Sequence, residues 1–169
     1  MGRIITTDNN DMFAKPKKQI TEQEALLKLS ALCSQAEHSS GEMMDKMRRW
    51  MLPADVAERI LDRLIDEHFI DDERFARFFV RDKIRFDRWG RRKIEQALYK
   101  KGVASDISQR VLDAVPADDY IEILRPLLAA KRRTLKVDSD YELNCKLIRF
   151  AMGRGFDMDV IRKCVDIPL

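Results

Sequence analysis

One pattern of apolar residues occurs three times in this chain of 169 residues. The three copies begin at Met43, Ile94 and Leu147, so equivalent positions are separated by 51 and then 53 residues. In each copy, apolar residues four apart precede a break near Gly or Pro, and a second series four apart follows it. This is the spacing of two amphipathic helices joined by a tight turn. A unit of about 50 residues buries too little apolar surface to be stable alone, so we expect neighbouring copies to pack against one another.

The repeat predicts an all-α protein made of three tandem three-helix repeats that form an elongated, curved rod. A further helix precedes each repeated pair, which gives nine predicted helices in all. No alternation of apolar and polar residues is long enough to predict a sheet. We predict a disordered lead at residues 1–20, then repeat 1 at 21–69, repeat 2 at 70–115 and repeat 3 at 116–169.

Local signals mark where several helices begin and end. Thr21 and Ser39 each precede a glutamate by three residues, the spacing of a capping box at a helix start. Pro53 suits the first position of the third helix, and Gly102 suits the end of the fifth. Pro126 lies inside the seventh predicted helix, where we expect it to kink the helix or delay its start.

Aromatic residues and cysteines are assigned to the core. Trp50 and Trp89 lie at predicted turns, where we expect each ring to cover the end of a core rather than to stack on a nucleobase. The cysteines have no paired or metal-binding spacing, and we expect them to be small core residues in a reducing compartment. They are Cys33, Cys145 and Cys164. The fourth helix carries a stripe of four core phenylalanines: Phe75, Phe78, Phe79 and Phe86.

Charge is nearly balanced overall but is segregated along the sequence. The formal net charge is +3, yet residues 54–74 contain eight acids and three bases, whereas residues 81–101 contain nine bases and three acids. Segregation of this kind indicates a polar interaction surface for nucleic acid or for a charged protein. The alternative is that both segments are ordinary solvated helix faces.

Sequence signals for catalysis, for export and for membrane insertion are missing. The chain has no Gly-rich phosphate loop and no dinucleotide fingerprint. The two histidines, His38 and His68, lie on different predicted helices without a metal-ligand partner at a suitable spacing. The N-terminal segment lacks the apolar run of a signal peptide, and no segment approaches a membrane span. We therefore predict a cytoplasmic protein that is not an enzyme and needs no cofactor or metal.

Three segments together resemble the RecX family of bacterial regulators of the RecA recombinase. Residues 71–76 read Asp-Asp-Glu-Arg-Phe-Ala, residues 89–94 read Trp-Gly-Arg-Arg-Lys-Ile, and residues 154–156 read Arg-Gly-Phe. Their order and their placement in three helical triplets carry the resemblance, which extends from about residue 25 to residue 165. The chain departs from the family pattern in two turns, at Pro53 and Gly153.

The resemblance implies a function without chemistry of its own. RecX proteins bind RecA and lie in the groove of the RecA filament on DNA, where they block filament extension or promote disassembly. This chain is accordingly expected to inhibit RecA in recombination, DNA repair and the SOS response by dampening ATPase, strand-exchange and coprotease activities. A groove binder of this kind is most simply a monomer.

Two other functions fit the sequence. One is a helical-repeat protein that binds single- or double-stranded DNA directly and affects RecA by competition, with an affinity that falls steeply with salt. The other is a scaffold that recognises a helix or an acidic peptide in its concave face.

Partner binding is assigned to the bases of the second unit and to a smaller set outside it. Arginine suits bidentate contact with phosphate or carboxylate, and lysine adds a less directional charge. Cations near helix C-termini are also favoured by about 0.3–1 kcal/mol whatever the function. We expect Arg74 and Arg110 to pair with acids on their own helices instead. The main candidates are Arg81, Lys83, Arg85, Arg88, Arg91, Arg92, Lys93, Lys100 and Lys101, and the secondary ones are Lys46, Arg48, Arg49, Lys131, Arg132, Arg133, Arg149 and Arg154.

Overall fold

The computed structural model of this chain describes residues 19–165, which form nine α-helices and no strand. The predicted all-α fold of three-helix repeats is confirmed. Almost all of the predicted N-terminal lead, at residues 1–18, lies outside the described residues, as do residues 166–169 of the third predicted repeat. The helices are α1 (Glu22–Gln35), α2 (Ser40–Arg49), α3 (Ala54–Asp66), α4 (Asp72–Arg85), α5 (Arg91–Lys100), α6 (Ser105–Asp113), α7 (Ala117–Thr134), α8 (Asp140–Gly153) and α9 (Met158–Arg162).

Helix starts follow the capping signals of the sequence. The Thr21 hydroxyl accepts a hydrogen bond from the Glu24 amide at 3.2 Å, and the Glu24 carboxylate accepts one from the Thr21 amide at 3.0 Å. Ser39 begins α2 with the same reciprocal pair. Pro53 lies one residue before α3 rather than at its first position. These bonds satisfy amides that have no partner inside the helix, and so they fix where each helix begins.

Helix α7 begins directly after Pro116 and continues through Pro126. Of the two expectations for Pro126, a kink or a delayed start, the delayed start is therefore wrong. Proline removes one backbone donor from a helix interior, but Leu124, Leu127 and Leu128 are buried on either side of it. Their burial anchors both halves of α7 against the same core.

The helices pack in three consecutive triplets. In the first, α1 and α2 pack on α3; in the second, α4 and α5 pack on α6; and in the third, α8 and α9 pack on α7. The first triplet encloses a core of its own, whereas the second and third share one continuous core. Helix α4 also contacts α7, which joins these two triplets directly. The first core contains Ala25, Leu29, Met43, Met47, Ala57, Ile60, Leu64 and Ile70.

The junction between the first and second triplets is polar and includes a close approach of two glycines. Gly102 has φ +73°, and a Cβ placed on it would lie 2.7 Å from the Gly41 Cα. The Ser39 hydroxyl donates to the Lys101 carbonyl, and Lys101 forms an ion pair with Glu42. Burial acts to raise the pKa of Glu42, but hydrogen bonds from Lys101 and from the Ser39 backbone bring it below its ordinary value. We call this contact the first junction.

A second glycine pair lies where the second triplet meets the third. The Gly90 amide donates to the Arg154 carbonyl at 2.8 Å, and the Arg92 amide donates to the Gly155 carbonyl at 3.0 Å. The rings of Tyr120 and Phe156 meet edge to face nearby, with their centroids 6.5 Å apart. This second junction therefore combines backbone hydrogen bonds with the shared core.

The prediction that all four phenylalanines of α4 are core residues is wrong for two of them. Phe75 is buried and Phe79 is partly buried; their rings stack at 5.6 Å. Phe78 is 43% exposed and Phe86 is 73% exposed. Phe78 is turned about 60° from Phe75 around the helix and away from the core, and Phe86 lies beyond the last helical residue.

The other residues assigned to the core are less deeply placed than expected. Cys33, Cys145 and Cys164 are all partly buried rather than fully enclosed. Burial still raises the pKa of the Cys33 and Cys164 thiols. Trp50 and Trp89 are partly buried, and each packs against one of the two cores.

Replacing Tyr120 by Phe is expected to stabilise the protein by about 1 kcal/mol, because its buried hydroxyl has no hydrogen-bond partner among residues 19–165. Burial raises the pKa of Tyr120 to about 12 from an ordinary 10.0. The unfolded chain therefore releases this proton at lower pH than the folded chain, and wild-type stability falls as pH rises through that range. Urea unfolding at neutral and alkaline pH measures both effects. Tyr99→Phe, at an exposed site, is the control and is expected to change little.

Candidate partner-binding surface

Trp89, in the turn between α4 and α5, lies between two lysines. The Lys83 ammonium is 4.8 Å from the centre of the Trp89 ring, and the Lys93 ammonium is 4.5 Å from it. Lys83 is also 5.3 Å from the Phe79 ring and pairs with the Asp87 carboxylate. A cation over an exposed aromatic face is favoured by about 0.5–1 kcal/mol. The ring therefore helps to hold both ammonium groups in place.

The third triplet adds a second aromatic ring with two cations. The Arg154 guanidinium is 5.3 Å from the Phe150 ring, and the Lys131 ammonium is 5.4 Å from the same ring. Arg154 also donates to the Asp87 carbonyl at 3.3 Å, which brings this group beside the turn that carries Trp89. We call the combined region the basic aromatic surface. It consists of Lys83, Trp89, Lys93, Lys131, Phe150 and Arg154.

The basic aromatic surface carries four cations, of which Lys83 forms an ion pair with Asp87. Such a surface suits phosphate groups or clustered carboxylates, since cations form their strongest hydrogen bonds with these anions. It unites candidates from the second and third predicted units. Phe150 was not among the residues predicted from sequence, although it lies on α8 four residues before Arg154, the cap of that helix.

Several other candidate bases hold helices together. Arg91 donates to Asp113 at 2.6 Å and to Gln109 at 2.9 Å, which fastens α5 to α6. Arg92 donates to Asp157 at 2.8 Å across the second junction. Lys101 pairs with Glu42 at the first junction. In the first triplet, Arg48 pairs with Asp45 on its own helix at 2.5 Å.

Another group of candidates is exposed and makes no ion pair within residues 19–165. These bases lie on all three triplets. They are Arg49, Arg85, Arg88, Lys100, Arg132, Arg133 and Arg149. Arg81 is exposed as well.

The expected pairing of Arg74 is wrong. Arg74 donates to Glu37, in the segment between α1 and α2, at 2.7 Å. Arg110 contacts Asp106 of its own helix at 3.9 Å but is closer to Glu73 of α4, at 3.2 Å. Both arginines therefore join separate elements. In the folded chain, an acid from another element lies closer to each guanidinium than any acid on the same helix does.

Among the described side chains, no cluster of His, Cys, Asp and Glu is arranged to hold a metal ion. None of the helices in residues 19–165 has the length and apolar character needed to cross a bilayer.

Comparison with known proteins agrees with this architecture. Models of the second and third three-helix domains of RecX match residues 71–112 and 118–165. The chain is 30% identical to the regulatory protein RecX of Acinetobacter baylyi over 80% of this chain and 82% of that protein. It is 32% identical to that of Clostridium perfringens over 73% of this chain, but spans only 58% of that longer protein.

A solved structure shows the same fold. The crystal structure of RecX from Lactobacillus salivarius superimposes with a TM-score of 0.80 at 22% identity, covering 85% of this chain and 94% of that chain. The matched domain models cover the second and third triplets described above, and the Acinetobacter relative aligns along most of its length. The chain therefore belongs to the RecX family.

Proposed function

We propose that this protein is a non-enzymatic inhibitor of RecA that binds in the groove of the RecA–DNA filament. On this proposal it dampens the ATPase, strand-exchange and coprotease activities of RecA. The observation that supports it is the basic aromatic surface, in a chain whose family relatives are named regulatory proteins. A groove between protein subunits wound on DNA presents carboxylates and phosphates, the two kinds of group that such cations bind.

The arrangement of the triplets supports binding along a filament. The first triplet contacts the second at the first junction, and the second contacts the third through α4 and α7, so the described part of the chain presents its bases on successive units. A repeat protein of this kind offers an extended surface with several separate points of contact. We propose that the protein contacts more than one RecA subunit as a monomer.

The candidate bases divide into three groups in this proposal. Lys83, Lys93, Lys131 and Arg154 bind the filament directly. The exposed bases without ion pairs add weaker contacts on other triplets. The smallest contribution to filament binding is expected from the bases that are already paired with carboxylates across helix contacts, which are Arg91, Arg92 and Lys101.

Direct binding of single-stranded DNA is the second candidate function. The rings of Trp89 and Phe150 lie among four cations, and aromatic rings in a basic groove are used to stack successive bases of a single strand. Binding of this kind needs no RecA, and its affinity falls steeply as salt is raised.

Reversing three charges of the basic aromatic surface is expected to weaken inhibition strongly. The variant carries Lys83→Glu, Lys93→Glu and Arg154→Glu. We expect its inhibition of the RecA ATPase to require at least about tenfold more protein than the wild type requires, because each reversal replaces attraction by repulsion. The assay titrates the protein into RecA on saturating single-stranded DNA, which excludes competition for free strand.

A matched control separates the surface from overall charge. Lys136→Glu, Arg162→Glu and Lys163→Glu change three exposed bases elsewhere, so both variants move the formal net charge from +3 to −3. The control is expected to inhibit like the wild type. Full inhibition by a folded Lys83, Lys93 and Arg154 variant contradicts the site. No inhibition by the wild type, together with salt-sensitive DNA binding without RecA, favours the second candidate function.

The contacts in the structure favour Lys83, Lys93 and Arg154 as the residues to reverse. Arg88, Arg91 and Arg92 are among the main candidates from sequence. Reversing Arg91 and Arg92 breaks their pairs with Asp113 and Asp157, and so it disturbs the contacts of α5 with α6 and of the second junction. Lys93 and Arg154 have no ion-pair partner of this kind among the described residues. Reversing their charges therefore breaks no ion pair between helices, and a loss of inhibition can be assigned to the surface itself.

A further inference from the structure

A groove of about 600 Å³ lies between α4, the end of α6 and the start of α7. This volume is within the range of sites that bind ligands or short segments of protein. Its apolar wall is firmly held, since Val80, Ile84 and Val111 belong to the core shared by the second and third triplets. Val115 and Ile123 are partly buried and complete the apolar lining.

Opposite charges face each other across this groove without meeting. Arg77, Arg81 and Arg85 are spaced four apart on α4 and line one wall. Asp119 and Glu122, on α7, line the other wall. Among the described residues, none of these arginines pairs with either acid. The groove is therefore wide enough to leave both charged walls available to a guest.

The arginine wall keeps its guanidinium groups at the surface. Arg77 pairs with Glu73, one turn earlier on its own helix. Arg81 is 3.9 Å from its neighbour Asp82, and its guanidinium is 5.1 Å from the ring of Phe78. That ring is 43% exposed and lines a neighbouring pocket together with Arg77 and Arg81. Exposed aromatic and arginine side chains are the residue types that most often anchor protein–protein contacts.

The groove is separate from the basic aromatic surface. Lys83 lies two residues from both Arg81 and Arg85, which is about 200° around an α-helix. The two surfaces therefore use opposite sides of α4. Binding at the groove leaves the cations around Trp89 free for the filament.

We propose that this groove binds an amphipathic α-helix from a partner protein. The apolar stripe of that helix packs on Ile84, Val115 and Ile123, one edge places acids against the arginine wall, and the other places bases against Asp119 and Glu122. A nucleic acid brings phosphates to both walls and is repelled by the acids of α7. The distance from Arg77 to Arg85 is eight residues of helix, or about 12 Å, so a guest helix contacts the groove over two to three turns.

This inference goes beyond the proposed inhibition of RecA and is tested without RecA. The probe is a fluorescein-labelled 16-residue peptide with leucines along one face, glutamates on one edge and lysines on the other. Its control has the same composition in scrambled order. Fluorescence anisotropy is expected to show saturable binding of the ordered peptide only. Amide shift changes in an NMR titration are expected to cluster at residues 77–85 and 111–123.

Charge reversal on each wall then tests the arrangement. Arg81→Glu with Arg85→Glu, and separately Asp119→Lys with Glu122→Lys, are each expected to weaken peptide binding at least about tenfold. Combining all four changes leaves the net charge as in the wild type and is expected to restore binding. In the combined variant, the charges of the two walls are exchanged. A guest helix with acids on one edge and bases on the other can lie in the groove in the reverse direction, and each edge then again faces a wall of opposite charge. Lys83→Glu, on the other side of α4, is expected to leave the peptide affinity unchanged.

Three results overturn the proposal. They are equal binding of the scrambled peptide, shift changes that lie outside the groove, and failure of the combined variant to recover binding. Circular dichroism of every variant tests whether the changed side chains alter the helical content.

Discussion

Leu98→Asp is expected to unfold the second and third triplets together. Leu98 is fully buried on α5, within the core that these two triplets share. Removing a buried leucine side chain costs about 2–5 kcal/mol, and the aspartate adds an unpaired charge in an apolar site. This is a large fraction of the total stability of a small protein, which is about 5–15 kcal/mol. Urea unfolding followed by circular dichroism measures the change.

A conservative variant gives the reference for this position. Leu98→Met keeps the side chain apolar and of similar volume, and such exchanges usually cost less than about 1.5 kcal/mol. We expect the methionine variant to unfold cooperatively near the wild-type midpoint, with the aspartate variant largely unfolded before urea is added. A soluble aspartate variant with the wild-type midpoint contradicts the position of α5 in the core.

The second large effect is expected at the first junction. Gly102→Ala places a Cβ 2.7 Å from the Gly41 Cα and puts a side chain on a residue with φ +73°. The left-handed conformation alone costs about 1–2 kcal/mol for a residue other than glycine, and the backbone contact adds to it. We expect a total loss of about 3 kcal/mol, measured by thermal and urea unfolding.

Gly153 provides a matched control within the same chain. A Cβ on Gly153 meets no atom within 4 Å, and the residue is part of α8. Alanine is favoured over glycine inside a helix by about 0.8–1 kcal/mol, so Gly153→Ala is expected to be neutral or stabilising. Equal effects of Gly102→Ala and Gly153→Ala refute the close approach at the first junction.

The sequence predicted the features that depend on local spacing. The repeat of apolar residues every four positions identified the helices, and the reciprocal Thr21 and Ser39 caps identified two of their starts. Gly102 was correctly placed after the fifth helix, because a left-handed residue is commonly glycine at that position. These features need only neighbours within a few residues, and a single sequence contains that information.

The local pattern of a single sequence does not reveal contacts between residues that are far apart along the chain. Arg92 pairs with Asp157, 65 positions away, and Arg74 pairs with Glu37, 37 positions away. Periodicity shows which face of a helix is apolar, but it does not show which helix lies opposite a given charge. The basic segment at residues 81–101 therefore looked like one surface. Helix geometry instead places Lys83 and Arg81 on opposite sides of α4.

The same limit explains the exposed phenylalanines and the composition of the basic aromatic surface. An aromatic residue in an amphipathic helix is usually a core residue, and Phe75 follows that rule. Phe78 lies at the edge of the apolar face, where only the packed neighbours decide whether it is covered. Phe150 and Arg154 join Trp89 because Gly90 and Gly155 bring two turns together, a contact that no local pattern contains.

The two cores differ in size, and this difference has a consequence for hydrogen exchange. The first triplet has a small core and meets the rest of the chain through glycines and polar groups, so it can open while the larger core stays intact. The reverse opening is unfavourable, because a unit of fewer than about 50 residues retains little stability alone. Amides of Leu29 and Leu64 should therefore exchange by a subglobal opening, ahead of those of Leu98 and Leu124. We therefore expect the first triplet to unfold and refold while the core shared by the second and third triplets stays intact.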